Sequence, residues 1–177
     1  YGSNAGYPVS VRPLNSTAQS GSLIILAGRL KDADRLQANI HFSTQNVYNL
    51  FRANGYTDDN IHYLATDNSL PGWDAEATIT NLQNAITSWA VDKVSAERPL
   101  TLYLMDHGGI DTFYVDGANN QTLAPGDLNS WLSQLEASVP GLRITVIVEA
   151  CHSGSFIDGE TRISKAGRMV ITSPNVQ

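Results

Sequence analysis

Apolar positions along this chain follow two rhythms. Short continuous runs of strand length, such as "SLIILAG" (22–28), "IHYLA" (61–65) and "RITVIVEA" (143–150), alternate with longer stretches that repeat every three or four residues. The first such stretch spans 33–54, where Leu36, Ile40, Thr44, Val47 and Phe51 mark one face of a helix and Gly55 its stop. A second carries Ile79, Leu82, Ile86 and Trp89, with Asp74 as its expected cap and "DNSLPGWD" (67–74) as the loop before it. "PLTLYLMDHGG" (99–109) reads as a third strand, ending in paired glycines. "TFYVDGANNQTL" (112–123) then has the alternation of a short hairpin, with Asp116-Gly117 as its turn signal. "PGDLNSWLSQLEASVPG" (125–141) is a third helix, 143–150 the fourth strand and "RMVITS" (168–173) a fifth. Strands alternating with helices predict an α/β fold: a three-layer sandwich around a mostly parallel sheet.

Composition narrows the class. The 177 residues suit one domain, with polar residues 1–21 as a lead-in or linker and 22–177 as the folded unit. Eleven basic residues are scattered among seventeen acidic ones for a net charge of −6, which excludes a nucleic-acid partner. No run approaches the about eighteen apolar residues of a membrane span, and no signal peptide is visible. Three lysines and Asn-x-Thr triplets at Asn15 and Asn120 lean toward an exported protein without settling the compartment. One cysteine excludes an internal disulfide and a thiolate zinc site. The acidic loops at 32–39 and 67–74 lack calcium-loop spacing. No metal or organic cofactor is expected.

Chemistry gathers at two strand ends. In an open parallel sheet, sites form beyond the carboxyl ends of the strands. If the third and fourth strands are neighbours, His107 and Cys151 emerge side by side. A lone cysteine ending an apolar strand is more often a small buried hydrophobe, and a His-Gly-Gly turn alone is unremarkable. Together they are the equipment of thiol catalysis, with His107 taking the proton and Cys151 attacking a carbonyl carbon. An oxyanion then needs backbone N–H donors, for which Gly108 and Cys151 itself are suited. His152 is expected to point away from the thiol; His41 and His62 read as ordinary packing or surface residues. Asp106 adjoins His107, but strand neighbours face opposite sides.

"DHGG" closing one strand and "EACHSGSF" (149–156) closing the next resemble the catalytic signatures of the caspase-like superfamily of cysteine peptidases. The Glu-Ala-Cys-x-Ser-Gly-Ser form is similar to the legumain (asparaginyl endopeptidase, peptidase C13) branch. "IILAG" followed by "RLQAN" resembles legumain's first strand and its Arg-x-Gln-Ala-Asp segment. The resemblance covers about 23–174 in element order and implies a caspase-like fold. It implies that His107 and Cys151 are catalytic, Gly108 an oxyanion donor, and Arg35 and Glu149 residues of the S1 substrate pocket. An Arg35–Glu149 pair would relieve a carboxylate otherwise buried alone, and could offer donor and acceptor to an Asn carboxamide.

What these features imply is a cysteine endopeptidase cutting peptide or protein substrates after Asn or another polar or charged P1 residue. Peptide ligation on the same dyad and a non-catalytic binding scaffold are the alternatives. Legumain's segment beyond the fifth strand, which completes its S1 pocket, is not among these residues. A C-terminal fragment, or a second copy of the chain, is therefore expected against the edge of "RMVITS".

Overall fold

The computed structural model describes residues 20–173, so most of the expected lead-in and Asn15 lie outside the described residues. Six strands form a parallel sheet: β1 (Ser22–Ala27), β2 (Ile61–Ala65), β3 (Trp73–Ala75), β4 (Leu100–Met105), β8 (Ile144–Glu149) and β9 (Arg168–Thr172). Their spatial order is β3-β2-β1-β4-β8-β9. Both faces of β1 are buried, as its uninterrupted apolar run requires. A small antiparallel sheet, β5 (Gly108–Gly109), β6 (Thr112–Asp116) and β7 (Gln121–Leu123), follows β4 directly and contains the expected hairpin.

Three helices complete the layers. Helix α1 (Gln37–Ala53) buries Ile40 and Tyr48 against Leu23, Ile25, Tyr63 and Tyr103 on one face of the sheet. On the other face, α2 (Ile79–Thr87) and α3 (Pro125–Ser138) close the larger core, where Leu82, Ile86, Leu128 and Leu132 meet Ile24, Leu102, Leu104 and Val146. Pro125 at the start of α3 is preorganised for a first helical turn. Gly55, just past α1, holds φ +91°, which explains why the helix stops there.

The helices differ from the sequence expectation at the start of α1, at the cap of α2 and at Trp89, which lies past the end of α2 in a short 3-10 helix. Residues 33–36 are not helical: Ala33 is left-handed (φ 52°), and the Asp34 carboxylate accepts from Leu36 N at 2.9 Å. A side chain that satisfies the backbone locally competes with the first turn, so α1 begins at Gln37. Asp74 does not cap α2. Thr78 does, accepting from Asn81 N at 3.1 Å, while Asp74 sits on β3 and accepts from Tyr63 N at 2.8 Å.

Candidate active site

Register brings the two strand ends together. β4 and β8 pair from Leu100↔Ile144 to Met105↔Glu149, so two residues further on His107 lies opposite Cys151. Asp106 N donates to Glu149 O at 3.2 Å and carries the ladder just past the strands. The backbones then close up: a Cβ on Gly108 would stand 2.4 Å from the Cys151 carbonyl oxygen, so only glycine fits there. Cys151 is exposed and follows Ala150 at the carboxyl edge of β8; the bland reading of a buried cysteine is therefore set aside.

The antiparallel pairing beyond β4 also determines where Gly108 points. Tyr114 N donates to His107 O at 3.2 Å, which makes 107–114 a hydrogen-bonded pair. Such pairs alternate with open ones, so at Gly108↔Phe113 the Gly108 N–H faces away from β6. It is thus free of the small sheet, as an oxyanion donor must be.

A carboxylate missed in the sequence meets His107. Asp34 Oδ2 lies 3.1 Å from His107 Nε2, with the two side chains 6% and 25% exposed. The N–H is not aligned on that oxygen, so the contact is a close approach and not a formed hydrogen bond. The loop bearing Asp34 is fastened to the hairpin. Arg29 N donates to Val115 O, Gly117 N to Arg29 O at 2.7 Å, and the Arg29 guanidinium to Asp116 Oδ1 at 2.9 and 3.1 Å. Gln37 Nε2 adds a bond to Gly28 O at 2.8 Å. The available signal was topological: an acid in the loop after β1, the strand beside β4, belongs to the same carboxyl edge as His107.

Asp106 takes a different part. It turns toward Gly28, where a Cβ would come within 2.9 Å of its Oδ2, and neither carboxyl oxygen has an aligned partner. Burial, reinforced by Asp34 and Asp116 nearby, pushes its carboxyl up to about 7.

Arg35 and Glu149 are not paired. Both are exposed, and Glu149 Oε2 accepts from Tyr103 Oη at 2.9 Å. Burial, then the Glu149 contact, raises the Tyr103 hydroxyl, so it stays a donor. Glu149 ends its strand at the open edge and is not a core position, so the desolvation that would have called for Arg35 never arises. Among the described residues Arg35 makes no ion pair, and no group of three His, Cys, Asp or Glu side chains is arranged to hold a metal. His41 contacts Gln37, and His62 stacks on Trp89.

Comparison with known proteins agrees with the fold. The model of the peptidase C13 family matches residues 76–175, more than half of the chain. Metacaspase-1 of Eremothecium gossypii is 30% identical over 146 residues, covering 75% of this chain and 31% of that protein. Metacaspase-1 of Candida albicans is 26% identical over 179 aligned residues, covering 92% and 39%. The chain thus spans about a third of the length of these curated relatives. A solved structure of pro-sf-caspase-1 superposes with a TM-score of 0.56 at 13% identity, over 88% of this chain and 61% of that one, a likeness of fold.

Proposed function

The chain belongs to the peptidase C13 family, and from that premise we propose that it is a cysteine endopeptidase whose nucleophile is Cys151 and whose general base is His107. The observation that carries the reading is the β4–β8 register, which ends both strands in step two residues before His107 and an exposed Cys151, with the Gly108 N–H turned away from its own sheet. With Asp34 Oδ2 3.1 Å from Nε2, the ring nitrogen left for the thiol proton is Nδ1. The thiolate adds to the scissile carbonyl carbon, and the Gly108 and Cys151 N–H groups receive the oxyanion. Collapse breaks the C–N bond, His107 returns the proton to the leaving amine, and the acyl group stays on sulfur. Water drawn in by His107 releases the acid; an amine in its place would give ligation.

Substrate choice falls to Arg35 and Glu149. Both are exposed, Arg35 in the loop after β1 and Glu149 at the last position of β8, and Tyr103 orients the Glu149 carboxylate. A carboxylate acceptor together with a guanidinium donor would suit Asn at P1. Because Glu149 is not neutralised by Arg35, a basic P1 side chain is the second reading. A panel of fluorogenic peptides varied only at P1, run on the wild type and on Arg35→Ala and Glu149→Ala, separates the two. Asn should lead for the wild type, and each variant should change the ranking more than it changes the rate of thiol alkylation. Rankings identical in all three proteins would remove both residues from the pocket. Adding an amine nucleophile and analysing products distinguishes hydrolysis from ligation.

A further inference from the structure

Two turns carry the reacting groups, and they part soon after they meet. The strand ends touch where Gly108 packs on the Cys151 carbonyl. Beyond that point Ile110 and Asp111 on one side, and His152, Gly154, Ser155 and Asp158 on the other, line a cavity of about 370 Å³. Each turn also holds a non-glycine residue in the left-handed region, Asp111 at φ 53° and His152 at φ 57°. Backbone of that kind persists only where its surroundings impose it.

One hydroxyl spans the gap. Ser155 Oγ accepts from Asp111 N at 2.9 Å and donates to His152 O at 2.8 Å. The bond to His152 is the ordinary link of a serine to a carbonyl three residues back. It is also locally redundant, since Ser155 N already donates to the same oxygen at 3.0 Å. The bond from Asp111 is not local: it joins residues 44 apart and engages both left-handed residues through a single atom.

We propose that Ser155 is a positioning residue for the Cys151–His107 pair, its hydroxyl tying the turn after His107 to the turn after Cys151 and so setting the distance between thiol and imidazole. The inference rests on the reading of those two residues as the reacting groups. It also accounts for a serine at the last place of the "EACHSGS" run, which the chemistry itself does not use.

The test compares the wild type, Ser155→Ala, Ser155→Thr and Cys151→Ala with one fluorogenic peptide, together with amide hydrogen exchange at Asp111. Ser155→Ala should lower kcat on the order of 10²-fold with KM nearly unchanged, because misplacement of a reacting group acts on the chemical step. Ser155→Thr, which keeps the hydroxyl, should recover most of that loss. In the wild type the Asp111 amide should be protected despite its exposed turn, and Ser155→Ala should release it. A kcat within twofold of wild type in Ser155→Ala, a threonine variant no better than alanine, or a change confined to KM would overturn the proposal. If Ser155→Ala fails to fold, the wild-type amide decides, and free exchange at Asp111 would count against the tie. Full turnover by Cys151→Ala would instead overturn the nucleophile assignment, and the exchange result would still report on Ser155.

Discussion

Asp34 is the residue whose position changes the reading of the site most. Its Oδ2, 3.1 Å from His107 Nε2, leaves Nδ1 as the ring nitrogen free of the carboxylate. Asp34→Ala should lower kcat roughly tenfold to a hundredfold by loosening the ring. Asp34→Asn, whose single amide oxygen can serve Leu36 N or His107 but not both, should fall between. A kcat in Asp34→Ala within about threefold of wild type would show that the contact positions nothing.

Asp106 yields a prediction about stability with a definite sign. Burial raises its carboxyl from the ordinary value near 4 to about 7. A raised acid binds its proton more tightly in the folded state, so its contribution to stability is full below about 4 and is lost as pH rises toward about 7. Thermal unfolding should show the melting temperature of the wild type declining through that window. Asp106→Asn, which has no proton to lose, should flatten the curve and be more stable at pH 8, by roughly 2 kcal/mol. Parallel curves for the two proteins would contradict this account of Asp106.

At the scale of elements, α3 and β9 are joined through Arg168. Its buried guanidinium donates to both carboxylate oxygens of Glu136 at 2.6 and 2.9 Å, to Asn129 Oδ1 at 2.8 Å and to Ile163 O at 2.9 Å. Burial alone would raise Glu136; the bonds from Arg168 and Lys165 outweigh it and hold the carboxyl below its usual range. Removing one partner strands a buried charge, so Glu136→Ala should cost about 3 kcal/mol in urea unfolding, and Glu136→Ala with Arg168→Met should cost less. A double variant no more stable than Glu136→Ala would show that Arg168 is not an uncompensated charge there.

The elements were largely legible because their signals are local. The runs at 22–27, 61–65, 100–105 and 144–148 are short and mostly apolar, and each forms a strand of the parallel sheet. The place of Cys151 and His107 just past two strand ends is legible for the same reason, since each follows such a run. Contacts between distant segments were not. Asp34 reaches a histidine 73 positions away, and only the β1–β4 pairing brings the two together. The late start of α1 turns on a left-handed Ala33, which periodicity does not encode. An Arg35–Glu149 pair follows from sequence only if Glu149 is buried, whereas β8 opens to solvent at that residue.

Across the whole molecule the two sheet faces are covered unequally. Over β9, Met169 and Ile171 are 61% and 47% exposed, and the outer edge of the strand has no partner among the described residues. Unpaired backbone beside exposed apolar side chains favours association. The 177-residue chain should therefore show a mass above 19.1 kDa in light scattering as concentration rises, and Met169→Lys with Ile171→Lys should return it to the monomer. A wild type that is monomeric throughout would contradict a pairing role for this edge.

Peptide turnover by folded wild type, Cys151→Ala and His107→Ala bears most directly on the whole account. A thiol nucleophile with an adjacent base predicts cleavage by the wild type and losses on the order of 10³-fold or more in either variant, with far-ultraviolet circular dichroism unchanged. A folded Cys151→Ala protein that cleaves at even about a tenth of the wild-type rate would contradict it.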